Sequence, residues 1–250
     1  MKKMSVLKHL ALGAGLCLAA AIASAATSPP DFTGVWTNGP PAPGAGAPRA
    51  RGAPQPPLPM LPQAKARVDA YQSLVAESGA SPGGSCLGTG MPGSMTGSGG
   101  YPMEIIQRPD QITIIYEAHG ELRHVYFGDR NAKQEDRVPG RDGYSSGHWE
   151  GDTLVVETDN LADQVDQRYA HSENATIVER YHLNGIDDKG RRILTAEMTM
   201  TDPAFYSEPV KFTKNWAQVP NGRLLPYECA EEIWSERLSE LAKKAGVKLP

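Results

Sequence analysis

Histidine and glutamate side chains at predicted strand ends are the groups in this sequence best suited to acid–base chemistry. His148 lies at the end of one predicted strand, and His171 lies in a polar loop before another. Histidine titrates near pH 7 and can transfer protons, and a carboxylate such as Glu179 can orient its ring. The pattern therefore predicts His148, His171 and Glu179 as catalytic residues. The alternative for each histidine is a hydrogen bond to the backbone with no catalytic role.

Four further residues are predicted to contact a substrate. Three of them are aromatic and suit an apolar or aromatic ligand, although strand packing explains aromatic residues equally well. The fourth is acidic and lies on the strand predicted to follow that of Glu179. The set consists of Tyr116, Tyr144, Trp149 and Glu197.

The faces of these two neighbouring strands leave two arrangements open. Glu179 shares a face with Ile177 and Tyr181. Glu197 lies on the face opposite an apolar stripe that includes Met198 and Met200. If that stripe packs outward, both glutamates point into a polar cavity. If the stripe lines the interior, both glutamates face solvent, and this is the more usual arrangement because apolar stripes mark cores.

The sequence has no motif for a metal, a nucleotide or a serine nucleophile. The histidines have none of the spacings His-x-His, His-x-x-x-His or His-Glu-x-x-His, and neither a P-loop nor Gly-x-Gly-x-x-Gly occurs. Ser145 and Ser146 lack the Gly-x-Ser-x-Gly turn of a hydrolase nucleophile. We therefore expect neither a metal nor another cofactor, and catalysis of a lyase, isomerase or hydrolase type that needs none.

Short alternating segments separated by turns are predicted to position these residues. The segments begin at residue 101 and recur to residue 219, with turns such as Glu150-Gly151-Asp152 between them. Helices are predicted over residues 63–78 and 231–245. Seven or more short strands at near-regular spacing favour a mainly β fold, which is an antiparallel barrel or sandwich with a short N-terminal helix and a C-terminal helix.

Two kinds of motif connect the chain with known families. Gly34-Val35-Trp36, preceded by Asp31, resembles the opening strand of lipocalin-type (calycin) barrels, in which the tryptophan plugs one end of the barrel. Longer blocks are similar to a large group of secreted bacterial proteins of unassigned function, although Gly128-Asp129-Arg130 departs from the Asp-Gly-Arg order of that group. The resemblance implies a secreted, lipocalin-like β-rich domain and transfers no catalytic residue. The longer blocks are residues 101–107, 109–111, 147–158, 171–173, 179–180 and 202–203.

Residues 1–25 are predicted to be a cleaved secretory signal peptide. Three lysines precede an apolar run over residues 10–22, which is followed by Ala23-Ser24-Ala25. The run is too short to span about 30 Å of hydrocarbon comfortably. The mature chain is therefore expected in the periplasm or outside the cell, without stable membrane insertion.

Cleavage leaves two cysteines, Cys86 and Cys229. In an oxidising compartment such a pair is predicted to form a disulfide. The alternative is a reactive thiol, which no Cys-x-x-Cys motif supports.

Composition limits the partners and divides the chain. The 250 residues include 25 Lys+Arg and 29 Asp+Glu without a basic block, so nucleic acid is not an expected partner. Residues 26–36 are predicted as a first strand and residues 37–100 as a Pro- and Gly-rich linker that contains the short helix. Residues 101–250 are predicted as a β-rich domain that packs with the first strand. Within the linker, residues 79–100 form either a flexible lid or a surface loop tied down by Cys86.

These observations lead to hypotheses from different functional classes. The sequence favours, by a small margin, a secreted barrel that acts as an acid–base enzyme on a small organic molecule, with histidine and glutamate at the barrel mouth. The alternative is a non-catalytic lipocalin-like carrier of an apolar or aromatic ligand, which requires an enclosed apolar cavity. A third hypothesis, an interaction protein that uses the Pro-rich residues 37–62, rests on composition alone.

Overall fold

The structure is a computed structural model that describes residues 28–40, 57–76, 83–97 and 100–229, together with residues 236, 239–240 and 243–246. The predicted signal peptide, most of the predicted C-terminal helix and residues 41–56 of the Pro-rich stretch lie outside the described residues.

Nine strands make up the barrel: β1 (Gly34–Asn38), β2 (Met103–Gln107), β3 (Gln111–Tyr116), β4 (Leu122–Tyr126), β5 (Tyr144–Glu150), β6 (Thr153–Asp159), β7 (Thr176–Ile186), β8 (Arg192–Thr201) and β9 (Val210–Val219). Each strand pairs with its neighbours in chain order, and β9 pairs with β1 to close the barrel. All pairs are antiparallel except β4 and β5, which run parallel because residues 127–143 return along the barrel. The predicted mainly β fold is confirmed, as a barrel consistent with the lipocalin-like type.

Two α-helices are described outside the barrel wall. Helix α1 (Pro62–Ala76) corresponds to the helix predicted over residues 63–78, and α2 (Gly93–Gly97) is a single short turn. Single 3₁₀ turns occur at Gly83–Ser85, Ala118–Gly120, Gly128–Arg130 and Gln134–Asp136. No helix in the described residues is both long enough and apolar enough to cross a membrane.

The turn between β3 and β4 sets the direction of a functional side chain. His119 and Gly120 have φ angles of 61° and 62°, so the chain reverses within a few residues. Because side chains alternate along a strand, Glu121 and Arg123 then lie on one side of the sheet, while Leu122 between them is exposed. The local sequence thus directs two charged groups toward the interior side of the barrel.

Aromatic side chains close the end of the barrel where β1 begins. Trp36 is fully buried, and its Nε1 donates a hydrogen bond to the Phe32 carbonyl oxygen at 2.9 Å. The Phe32 ring contacts that of Trp149, with ring centroids 5.4 Å apart. This end therefore consists of packed apolar surface.

The opposite end, where β1 finishes, is covered by chain segments outside the wall. These are α1, residues 161–175 and a segment that we call the plug, residues 88–97, which includes α2. Helix α1 is held by an ion pair between Arg67 and Asp163 at 2.7 Å. The predicted disulfide is confirmed: it joins Cys86, just before the plug, to Cys229, with Cα atoms 5.5 Å apart. The plug is therefore fixed covalently near its start.

Candidate functional site

An arginine–glutamate ion pair lies inside the barrel. The side chains of Arg123 on β4 and Glu179 on β7 are 1% and 0% exposed. Nη1 of Arg123 donates to Oε1 of Glu179 at 3.1 Å, and Nη2 donates to Oε2. The guanidinium also donates to Ser145 Oγ at 3.0 Å and to Thr158 Oγ1 at 2.8 Å. Burial is the largest single effect and disfavours the charge on Arg123, but Glu179, Tyr181 and Tyr116 together outweigh it and keep the pKa of Arg123 well above its ordinary value.

Two tyrosines extend this buried pair toward the plug. The Tyr181 hydroxyl donates to Glu179 Oε1 at 2.7 Å, and the Tyr116 hydroxyl donates to the sulfur of Met95 in α2. Burial raises the pKa of both hydroxyls above the ordinary tyrosine value, so both keep their protons. We call Tyr116, Arg123, Glu179 and Tyr181 the interior cluster.

Side chains fill the space around the interior cluster. Arg123, Tyr116, Tyr181 and Met95 are each no more than 2% exposed, and Trp216 stacks on Tyr181 with ring centroids 6.5 Å apart. Exposed area includes the walls of internal voids, so side chains buried to this extent do not border a space that holds water. A ligand therefore reaches the interior cluster only if the plug moves.

The structure separates Glu179 from Glu197. In the β7–β8 ladder Glu179 pairs with Met198, whereas Glu197 pairs with Arg180 on the outer face. The apolar stripe of β8 lines the interior, and Glu197 is exposed. Neither arrangement considered for the two glutamates is correct, because the register places one inside and the other outside. Glu197 therefore does not join Glu179 in a substrate site.

His148 lies on the outside of the barrel. It alternates with the inward-facing Gly147 and Trp149, and its side chain is 53% exposed. Its Nε2 lies 3.3 Å from Glu150 Oε1, and the other carboxylate oxygen of Glu150, Oε2, accepts a hydrogen bond from Arg180. The prediction of a catalytic His148 beside Glu179 is wrong on geometry, because the sheet wall separates the two side chains.

His171 is buried beneath the plug. Its Nε2 lies 3.1 Å from the Met91 carbonyl oxygen and its Nδ1 lies 3.2 Å from that of Ser172. Burial lowers the pKa of His171, which favours the neutral ring with one N–H. His171 thus meets backbone oxygens, while Glu179 meets Arg123. The predicted His171–Glu179 pair is therefore absent from the described structure.

The predicted aromatic substrate contacts do not converge on one pocket. Tyr116 belongs to the interior cluster, whereas Trp149 packs on Phe32 at the opposite end of the barrel. Tyr144 lies on the outer face, where its hydroxyl accepts a hydrogen bond from the Ala132 N–H at 2.6 Å. Alternation along β5 explains the outward position of Tyr144, because Ser145 points inward to Arg123.

Asp142 is a candidate functional residue that the sequence analysis missed. It lies immediately before β5, at the plugged end of the barrel, and is half-buried. Burial, together with the neighbouring Glu121 carboxylate, raises the pKa of Asp142 to about 6, against the opposing effect of Arg123 and Arg141. Its Oδ1 is buried and accepts no hydrogen bond from the part of the chain that the structure describes. A carboxyl that titrates close to neutral pH therefore lies beside the interior cluster.

Polar side chains of the barrel hold the backbone of the plug. Glu121 accepts hydrogen bonds from the Gly90 N–H at 2.8 Å and from the Ser94 hydroxyl at 2.9 Å. Arg141 donates to two plug carbonyl oxygens at 2.9 and 3.2 Å, and Gln167 donates to a third at 3.1 Å. The plug is therefore attached to the barrel by these hydrogen bonds and by the buried side chains of Met91 and Met95, which belong to the hydrophobic core. Its displacement exchanges the hydrogen bonds for water and exposes those two side chains.

Neither a metal nor a known relative explains the site. Among the described residues, no three His, Cys, Asp or Glu side chains are placed to hold a metal ion together. Comparison with protein-family models, with curated proteins and with solved structures found no match. The geometry of Asp142 and the interior cluster is therefore the basis for the function proposed below.

Proposed function

We propose that this protein is an acid–base enzyme that acts on a small organic molecule at the plugged end of the barrel, with Asp142 as the group that transfers the proton. The observation that carries the proposal is the half-buried Asp142 carboxyl, with one oxygen lacking a hydrogen-bond donor and with Glu121 beside it. An acid–base catalyst works best when its pKa lies near the working pH. The pKa of Asp142, raised to about 6, meets that condition without a metal or another cofactor.

The neighbours of Asp142 support this assignment. Arg123 lies close enough to act on its charge, and two Tyr hydroxyls that keep their protons lie in the same buried cluster. A site with a titrating carboxyl, a fixed cation and hydroxyl donors can move a proton and stabilise the charge that develops on a substrate oxygen. In this proposal Glu179 positions Arg123 and Tyr181, and it does not transfer the proton itself.

The plug supplies access in this proposal. Its hydrogen bonds to Glu121, Arg141 and Gln167 hold it over the barrel end, and its displacement uncovers Asp142 and Tyr116 together. Lids of this type exclude water during a reaction and open for substrate entry and product release.

The compartment proposed for this activity is the periplasm or the cell exterior. The Cys86–Cys229 disulfide supports this placement, because disulfides persist in oxidising environments and are rare in the cytosol.

A substrate panel tests the proposal. Purified protein is incubated with small esters, lactones, hydroxy acids and ketones, which cover hydrolase, lyase and isomerase chemistry, and NMR spectroscopy detects any turnover. Asp142→Asn is expected to lower the rate on the active compound by about 10²–10⁴-fold, the usual contribution of a positioned acid–base group. Asp152→Asn is the matched control, because Asp152 is exposed in the β5–β6 turn at the other end of β5. Turnover at the wild-type rate in Asp142→Asn would refute the assignment.

A carrier function is the second candidate, and the Tyr116–Met95 contact favours it. The Tyr116 hydroxyl donates to a thioether sulfur, which is a weak acceptor. A ligand oxygen that displaced Met95 would provide a stronger acceptor for this hydroxyl. The carrier predicts saturable binding of a panel compound without turnover and without an effect of Asp142→Asn.

A further inference from the structure

We propose that Lys214 is a reactive amine that forms an imine with an aldehyde or ketone ligand of mainly apolar character. This inference goes beyond the acid–base function, because it involves neither Asp142 nor the interior cluster. It rests on the position of Lys214 in β9, on its hydrogen-bond partner and on its place in the half of β9 that pairs only with β8 among the described strands.

Lys214 lies on the inner face of the wall. In the β8–β9 ladder it pairs with the buried Ala196, and it alternates with Phe212 and Trp216 on the same face. Trp216 is 4% exposed and stacks on Tyr181 inside the barrel. The lysine stem is therefore flanked by aromatic side chains, and Lys214 itself is only half-buried.

The Lys214 ammonium has a neutral partner. Its Nζ donates to the Asn38 side-chain oxygen at 2.6 Å, and within the described part of the chain no carboxylate pairs with it. Burial lowers the pKa of Lys214 below its ordinary value, and no negative charge among the described residues offsets that effect. A desolvated lysine without a counter-ion exists as the free amine more often than an exposed one, and the free amine is the nucleophile.

The wall beside Lys214 is incomplete among the described strands. β1 pairs with β9 only from Trp216 to Val219, and the Gly39 N–H adds one hydrogen bond to the Asn215 carbonyl oxygen. The half of β9 that begins at Val210 therefore has β8 as its one strand neighbour in the described residues. Because Lys214 is only half-buried, its amine is accessible to a small ligand without displacement of the plug.

Imine formation needs no reactant other than the Lys214 amine and the carbonyl compound. The lone pair of the neutral Lys214 amine attacks the carbonyl carbon, the two protons that the nitrogen loses are transferred to the carbonyl oxygen, and that oxygen leaves as water as the C=N bond forms. Hydrolysis reverses the step, so the ligand is held and released without oxidation or reduction. The aromatic flanks favour a carbonyl compound with an apolar body.

Reductive trapping tests this inference on the protein without the predicted signal peptide, residues 26–250. Benzaldehyde is added at a low molar ratio with sodium cyanoborohydride, which converts an imine into a stable benzylamine, and peptide mass spectrometry measures the modified fraction of each lysine. We expect Lys214 to be modified several-fold more than Lys211, although Lys211 is exposed on the outer face of the same strand.

Substitutions separate reactivity from folding and from the acid–base proposal. Lys214→Arg is expected to remove the dominant modification and Lys211→Arg to leave it unchanged. Asp142→Asn is expected to leave the modification of Lys214 unchanged, so failure of one proposal does not imply failure of the other. Modification of Lys214 at or below the level of Lys211 in the wild-type protein would overturn the inference, and this comparison does not depend on whether a variant folds.

Discussion

The Arg123–Glu179 pair places two charges inside the barrel, at positions where apolar side chains would also fill the core. Removing each ion from water costs several kcal/mol, and an apolar replacement of similar volume is often neutral or stabilising. The pair is therefore a weak source of stability. The pair has two effects on the site. Glu179 accepts the hydrogen bond that orients Tyr181, and Arg123 provides a fixed positive charge near Asp142.

A double-mutant comparison tests this view of the pair. Arg123→Met leaves the Glu179 carboxylate buried without its cation and is expected to lower the free energy of unfolding by about 3–5 kcal/mol. Combining Arg123→Met with Glu179→Leu removes that penalty and is expected to restore most of the loss. Urea unfolding measures both values. The exposed Arg180–Glu150 pair is the control, and Glu150→Gln is expected to change stability little. A double variant as unstable as Arg123→Met alone would contradict this interpretation.

The β7–β8 ladder shows how far sequence patterns predict the elements of this fold. Alternation within β7 correctly placed Glu179 on the face of Tyr181, and the apolar stripe of β8 correctly marked a core. The predicted relation between β7 and β8, in which Glu179 and Glu197 lie on the same side of the sheet, was wrong. Register depends on the turn that joins two strands, and here the ladder shifts between Leu183 and Ile186. Pattern within one strand is therefore predictable, while the partner across the ladder is not.

The sequence suggested a lid or a surface loop tied down by Cys86 for residues 79–100, but it predicted neither the contacts of the plug with the barrel nor the role of Asp142, for a related reason. Arg141, Asp142 and Gly143 form a polar turn before a strand, a pattern that is usually solvent-exposed. Arg141 is partly buried because its side chain donates hydrogen bonds to the carbonyl oxygens of Gly88 and Thr89 in the plug, which are about 50 positions earlier in the chain. Contacts of this separation leave no periodic signal in a single sequence.

The attachment of the plug can be tested by hydrogen exchange. Glu121→Gln replaces a charged acceptor by a neutral one, so the hydrogen bond from the Gly90 N–H is expected to weaken by roughly 1 kcal/mol and its amide exchange to accelerate several-fold. Glu157→Gln on the exposed face of β6 serves as the control. Unchanged exchange at Gly90 in Glu121→Gln would mean that this hydrogen bond does not hold the plug.

The stability of the whole molecule is expected to depend on pH through Asp142. Its pKa is about 6 in the folded state, against an ordinary value of 3.8, so the folded state binds this proton more tightly than the unfolded state. This contribution to stability is complete below about pH 4 and is lost as the pH rises through about 6.

Asn at position 142 is uncharged at every pH, like the protonated form of Asp142, so Asp142→Asn avoids the cost of the buried carboxylate that the wild type pays at high pH. At pH 7.5 we expect the variant to be more stable than the wild type by roughly 1–3 kcal/mol, and at pH 4 we expect the difference to disappear. Other groups titrate in both proteins and cancel in the difference, which urea unfolding at a series of pH values measures. A difference that does not change with pH would argue against a raised pKa of Asp142.

The proposed acid–base function depends on a carboxyl at the plugged end of the barrel that titrates near neutral pH. Carbon-13 NMR of protein labelled at the aspartate carboxyl carbons measures this directly, with Asp142→Asn used to assign the resonance. We predict a titration midpoint of about 6 for Asp142. A midpoint near 4, the ordinary value for an aspartate, would contradict the proposed acid–base role.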